Sequence, residues 1–310
     1  MTSQQDLQIG LLLPSRETVL WAGGDLTFLI EAARLAEAAG FDSVWAGDSL
    51  LARPRGEPLT VLAAVAAATT RLRLGTAVLL PLLRHPLNLA HSAASLDRIA
   101  EGRLVLGVGP GAELPATHAE LAALGVPSDR RVGAMLGNLD RCLRLWRGEE
   151  ADAELLPRPY RAAGPPLWLG AHGPRMLGLA GERFDGWLPF SPTPGDYATG
   201  LRAVREHAER AGRDPATVAA GVYLTVAVAD SPGRAAEELD AYMRAYYGVP
   251  GPVMAQAQAC HTGTLDSAVE WLASYVAAGA SHLVVRLARP SLDGYHDTVA
   301  ALLEAARPPS

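Results

Sequence analysis

Eight times along this chain a short, uniformly apolar run is followed by a longer amphipathic stretch, and that alternation limits the available folds more than any other feature. The runs at residues 9–13, 43–46, 72–80, 103–108, 167–171, 186–190, 219–229 and 282–288 are too apolar for a sheet with one wetted face. Strands buried on both faces belong to parallel sheets covered by helices. Helices are predicted over 58–69, 87–100, 132–146, 175–181, 197–211, 235–247, 266–278 and 295–306. A further helix runs from Asp25, as N-cap, to Ala39, where Gly40 ends it. On it Phe28, Ala32, Leu35, Ala36 and Ala39 are expected to face inward, and Glu31, Arg34 and Glu37 outward. The pattern predicts an α/β fold, a single (β/α)8 barrel over residues 1–310, with rim insertions near 112–131 and, as an irregular segment, 248–263. An open doubly wound sheet is the other arrangement, and it needs a break in the rhythm that the sequence lacks.

Composition removes several classes of function. All 27 basic residues are arginine, so Schiff-base chemistry on a barrel lysine is excluded, as is a lysine general base. A net charge of −6 gives no electrostatic reason to expect nucleic acid or an anionic membrane as partner. Two cysteines, Cys142 and Cys260, are too few for a disulfide framework or a zinc site, and no metal is expected. Cys142 lies in a helical run and reads as a buried structural thiol, while Cys260 beside His261 is a weak nucleophile candidate. The polar N-terminus through Gln8 carries no signal peptide, and no apolar stretch reaches the roughly 18 residues of a membrane span. A cytoplasmic enzyme with a small-molecule substrate is the expectation.

Two segments carry chemistry by their residues alone. Gly170-Ala171-His172-Gly173-Pro174-Arg175 joins the fifth strand to a helix, where exposed backbone N–H groups favour a phosphate and Arg175 adds a charge. A plain turn between strand and helix also uses glycine and proline. Asp48 ends the second strand, and a carboxylate at the C-terminal rim of a barrel strand reads either as site-facing or as a cap.

From the third strand onward the residues stop being generic. Leu74-Gly75-Thr76-Ala77-Val78-Leu79-Leu80-Pro81, Arg84-His85-Pro86, Leu96-Asp97-Arg98-Ile99 and Glu101-Gly102-Arg103-Leu104-Val105-Leu106-Gly107-Val108-Gly109 closely resemble the bacterial-luciferase-like monooxygenase family. Pro166-Leu167-Trp168-Leu169-Gly170, Phe184-Asp185-Gly186-Trp187 and Tyr275 with Ala277-Ala278-Gly279-Ala280 continue the match in order. The resemblance implies a luciferase-like barrel that binds FMN or coenzyme F420, a deazaflavin, at the C-terminal ends of its strands. It also implies a cis Ala77–Val78 peptide under the cofactor ring. Thr76, Ala77 and Val78, then Gly107, Gly109 and Gly111, then Gly170, Ala171, His172, Gly173 and Arg175 become the cofactor-binding candidates. Asp48, Glu113 and His172 become the catalytic ones. Some relatives place an acid at the position of Ala112, and many deazaflavin-dependent ones place a histidine at that of Ser49. The departure at Ser49 separates the chain from sugar-phosphate dehydrogenases, and both departures favour the reading without catalysis.

Hydride transfer with F420 to or from a small organic substrate is the expected activity. An FMN-dependent monooxygenase supplied with reduced flavin is the alternative, and a ligand-binding homologue without catalysis a further one. A homodimer, and a separate flavin or F420 reductase, are expected partners. His85 is expected to be structural and His118 solvated, while Trp21, Tyr246 and Tyr247 are candidates for a substrate wall or for plain packing.

Overall fold

The computed structural model describes residues 7–150, 154–191 and 193–306, so the N-terminus up to residue 6 lies outside the described residues. Its strands are β1 (Gln8–Leu12), β2 (Ser43–Ala46), β3 (Arg73–Thr76), β4 (Leu104–Val108), β5 (Leu167–Leu169), β6 (Gly186–Trp187), β7 (Ala219–Val228), β8 (Cys260–Gly263) and β9 (His282–Leu287). Seven of the eight barrel strands follow one another as β6-β5-β4-β3-β2-β1-β9, and β7 closes the ring by pairing with both β9 and β6. Every pairing is parallel, as in Gly10↔Ser43 and Gly186↔Ala219. This is the expected (β/α)8 barrel.

The helices are α1 (Glu17–Trp21), α2 (Thr27–Ala39), α3 (Pro58–Ala68), α4 (Pro86–Ile99), α5 (Pro115–Ala123) and α6 (Arg131–Arg147). They continue with α7 (Pro174–Arg183), α8 (Pro194–Arg210), α9 (Pro232–Tyr247), α10 (Gly251–Met254), α11 (Leu265–Ala277) and α12 (Tyr295–Ala306). Proline opens α3, α4, α5, α7, α8 and α9, where its missing N–H costs no bond. The N-cap of α2 is Leu26 and not Asp25, whose carboxylate accepts the Thr27 N–H at 2.9 Å from just outside the helix; Gly40, at φ +99°, closes it.

Three further expectations change. The buried face of α2 is Leu29, Ala32, Ala33 and Ala36, the i, i+3, i+4, i+7 stripe, whereas Leu35 is 44% exposed. The run at 72–80 is broken: β3 stops at Thr76, the Ala77–Val78 peptide is cis, and pairing resumes at Leu79 opposite Val108. The segment 248–263 is ordered, holding α10 and a ninth strand, β8, which pairs with the far half of β7 from Thr225↔Cys260 to Val228↔Gly263.

The barrel interior is plugged below the site. Trp45 and Trp168 stand 5.4 Å apart, each edge-on to His282. A Cβ on Gly75 would lie 2.1 Å from Trp45, and one on Gly186 would lie 2.6 Å from Trp168, so strand glycines make room for the two indoles. Trp45 Nε1 donates to Ser43 Oγ at 2.8 Å, and Ser43 Oγ shares a 2.8 Å bond with His282 Nε2. The remaining buried apolar residues fill the space between strands and helices. Cys142 is among them, fully buried with its thiol pushed up to about 12 by burial, which makes it the inert thiol the sequence suggested.

Candidate functional site

The C-terminal ends of the strands open into two adjoining cavities of about 530 and 400 Å3, both bordered by Ala77, Val78 and Gly170. The platform between them is the cis bulge, and three of the sequence's glycines exist to seat it. A Cβ on Gly107 would stand 2.0 Å from the Thr76 carbonyl oxygen, one on Gly109 would stand 2.9 Å from Val78, and one on Gly170 would stand 2.6 Å from Val78. Thr76 is fully buried and spends its hydroxyl on the Gly107 carbonyl at 2.7 Å. Thr76, Gly107, Gly109 and Gly170 therefore hold the shape of the floor, with Ala77 and Val78 presented to the cavity. Gly111, at φ +81°, turns the chain away from β4.

At the edge of the larger cavity, the loop after β5 is arranged for an anion in part. The Gly170 N–H is taken by the Val108 carbonyl at 2.8 Å, as part of the barrel ladder. Ala171, His172 and Gly173 then lead into α7, whose N-cap Gly173 has φ +83° and open space where a side chain would be. Arg175, in the first turn of α7, also lines a third cavity of about 450 Å3 together with Arg130 and Arg131. That groove shares Glu113, Arg131 and Val132 with the large cavity, so the two lie against the same side chains.

The three catalytic candidates meet at the same opening with different attachments. Asp48, its side chain 1% exposed, forms a bidentate pair with Arg84 at 2.6 and 3.1 Å and accepts the Leu80 N–H at 2.9 Å. It thereby clamps the segment that follows the bulge. Burial alone would lower the Arg84 pKa, but the bonds to Asp48 and Glu57 outweigh it and raise it. Glu113 is exposed and bonded to Arg131 and to His118, the latter at 2.7 Å; the Arg131 bond holds its carboxyl below the usual range. The His172 ring lies 4.3 Å from that of Phe190, and desolvation lowers its pKa, so it is a neutral imidazole at pH 7.

Ser49 is used up in the loop: its hydroxyl donates to Glu120 Oε1 at 3.0 Å and accepts the Arg53 N–H at 2.8 Å. The same Glu120 oxygen accepts the N–H groups of Leu50, Leu51 and Ala52. His85 caps α4 by accepting from the Leu87 N–H, a structural role as expected. Tyr246 and Tyr247 do line the smaller cavity, whereas Trp21 packs on Tyr242.

Sequence reasoning missed a second polar cluster. Arg286, buried in β9, bonds Thr225 Oγ1 through Nε and Nη2 at 3.2 and 2.9 Å, and Tyr247 through Nη1 at 2.8 Å. Tyr223, Tyr242, Tyr246 and Tyr247 surround it with ring centroids 5.0–5.3 Å from the guanidinium carbon. The available signal was an arginine inside an otherwise apolar strand, His-Leu-Val-Val-Arg-Leu, a residue type almost never buried without a partner.

With this geometry in place, comparison with known proteins is specific. The model of the family described as luciferase-like monooxygenase matches residues 7–282. The chain is 32% identical over 203 residues to a 5,10-methylenetetrahydromethanopterin reductase of Methanolobus tindarius, covering 63% of this chain and 60% of that one. It is 34% identical over 207 residues to a phthiodiolone/phenolphthiodiolone dimycocerosates ketoreductase of Mycobacterium sp. (strain JLS), covering 62% and 53%. The matches thus span little more than half the length of these curated relatives. Among solved structures, an F420-dependent secondary alcohol dehydrogenase in complex with an F420–acetone adduct superimposes with a TM-score of 0.79 at 21% identity, covering 98% of this chain and all of that one.

Proposed function

The chain belongs to the luciferase-like monooxygenase family, and from that premise we propose that it is an oxidoreductase that uses coenzyme F420 to transfer hydride to or from a small organic substrate. The observation that carries the cofactor choice is the groove of Arg130, Arg131 and Arg175, which borders the large cavity at Glu113, Arg131 and Val132. F420 carries a phosphodiester and a polycarboxylate tail beyond its ring, and a guanidinium-lined extension suits that tail better than the single short phosphate of FMN. The residues fit the group in a second respect. The glycines at 107, 109 and 170 leave no Cβ above or beside the bulge, so a flat ring has a floor in Ala77 and Val78.

When bound, the cofactor supplies the hydride chemistry, and the protein contributes position and field. In this reading the N–H groups of Ala171, His172 and Gly173, with Arg175, hold the phosphate at the start of α7. Asp48 positions the floor through Arg84 and Leu80. His172, neutral and beside the cavity, and Glu113, ionised at its rim, are the groups within it that can hold or pass a proton. The curated relatives whose names describe reductases, and the solved F420-dependent dehydrogenase, support the direction of this proposal.

Titration of the purified protein with F420, reduced F420, FMN and reduced FMN, read by cofactor fluorescence or its quenching, is the test. Saturable F420 binding at least tenfold tighter than that of FMN is expected. The reverse preference would make the chain an FMN-dependent monooxygenase, and binding of neither would leave a ligand-binding homologue without this chemistry.

A further inference from the structure

Arg53 and Arg55 line the smaller cavity, and Arg16 and Arg286 pack on its tyrosines; the carboxylate in its lining, Glu113, is held by Arg131 and His118. Arg16 lies 5.1 Å and Arg55 5.7 Å from the Tyr246 ring centre, Arg53 lies 4.9 Å from that of Tyr247, and Arg286 fills the space between the tyrosines. The carboxylate of the cluster is Glu17, which is buried and accepts the Tyr242 hydroxyl. Among the described residues, no carboxylate comes within 4 Å of any of the four guanidinium groups.

Each nitrogen of Arg286 donates a hydrogen bond, whereas of the Arg55 nitrogens Nε alone does among the described residues. Its Nε donates to the Arg53 carbonyl at 3.1 Å, and the guanidinium then extends past Gly47, where a Cβ would stand 2.3 Å from Nη1. It lines both cavities beside the bulge. The hydroxyls of Tyr223 and Tyr246, which line the smaller cavity, have no hydrogen-bond partner among the described residues. Burial drives the Tyr223 phenol well above its ordinary value of 10, against the pull of Arg286, so it remains a donor at neutral pH. Around these donors the wall is apolar, with Leu188, Phe190 and Met254.

A desolvated guanidinium without a counter-charge is unfavourable, and an anion that pairs with it in the planar bidentate mode offsets that cost. We propose that the smaller cavity takes an organic carboxylate, its carboxyl group held by Arg55, Tyr223 and Tyr246 and its apolar body lying against Leu188, Phe190 and Met254. This names the substrate class for the oxidoreductase proposed above and rests on the larger cavity being the cofactor's. A volume of about 400 Å3 suits a small-molecule acid.

Calorimetric titration with 3-phenylpropionate and with its amide, 3-phenylpropionamide, separates charge recognition from apolar binding. It is run on the protein alone and on the protein with F420. The acid is expected to bind the wild-type protein at least about tenfold more tightly than the amide, as a charge-assisted pair requires. Arg55→Met should bring acid and amide within about twofold of each other, and Tyr223→Phe, which keeps the ring, should weaken the acid by about threefold. F420 affinity should stay within about threefold in Tyr223→Phe, whose ring lines the smaller cavity and not the larger one. Equal affinity for acid and amide in the wild type, or binding of neither, overturns the proposal. So does an Arg55→Met protein that keeps the acid preference while losing F420, because the guanidinium would then belong to the cofactor. Should Arg55→Met not fold, as judged by circular dichroism, the Tyr223→Phe result decides. If F420 fails to bind while the protein alone still prefers the acid, the carboxylate site stands and the cofactor assignment falls.

Discussion

Replacing Asp48 by asparagine removes a charge from a side chain with almost no exposed surface and leaves Arg84 with only the half-exposed Glu57. Breaking such a buried pair costs about 3 kcal/mol. Asp48→Asn is therefore expected to lower the urea unfolding free energy by about that amount and to weaken cofactor binding along with it, since the Leu80 N–H anchor loosens. Intact stability with turnover lost would instead make Asp48 a reacting group. Gly173 tests the phosphate assignment differently. Its φ of +83° and ψ of 156° suit glycine alone, so any side chain strains the loop, and the informative comparison is between two substitutions sharing that strain. Gly173→Asp should bind F420 at least about tenfold more weakly than Gly173→Asn, because only the former sets a carboxylate against phosphate. Equal affinities would move the phosphate elsewhere. At this scale the sequence showed which residue types stand at the rim. It could not show that Gly107, Gly109 and Gly170 lack side chains for the bulge's sake, because their neighbours come from other strands.

Between elements, α5 decides how the rim is built. One oxygen of Glu120, on this nine-residue helix, gathers the hydroxyl of Ser49 and the N–H groups of Leu50, Leu51 and Ala52 from the loop after β2. Glu120→Ala leaves those donors without their acceptor and should destabilise the protein by about 2–3 kcal/mol. Hydrogen exchange should show faster exchange confined to residues 49–53; protection unchanged there would mean that the loop holds itself. The helix itself was hidden in a stretch read as a rim insertion, since a short helix with weak amphipathic pattern is set by its contacts rather than by its periodicity. β8 was hidden for a related reason. Cys260–Gly263 is polar and half-buried, and it becomes a strand because the far half of β7 offers it a free edge. The long helices α6, α8 and α9, by contrast, were legible within a few residues, because their apolar stripes are local signals.

The whole barrel carries an acid-sensitive plug. His282, sealed between Trp45 and Trp168, is pushed by burial, with help from the Arg73 charge, from its usual 6.5 down to about 3. Below pH 6.5 the unfolded chain takes up a proton that the folded one refuses until about pH 3, so stability falls as the pH drops through that window. The slope from this one group is at most about 1.4 kcal/mol per pH unit. Urea midpoints at pH 7.5 and 4.5 should differ accordingly, and His282→Gln should flatten the difference; an undiminished difference would assign the acid lability to other groups. The sequence by itself determined the barrel, because two-sided apolar strands and intervening amphipathic helices have few other ways to bury their surfaces. It also marked the Gly-rich strand ends and the loop into α7, whose composition is their chemistry. Tertiary structure alone decided that Asp48 faces Arg84, that Ser49 serves Glu120, and that four arginines share a nest of tyrosines with Glu17. Those contacts join residues up to 230 positions apart, from Arg16 to Tyr246, and a charge's role depends on which partners the fold brings within reach.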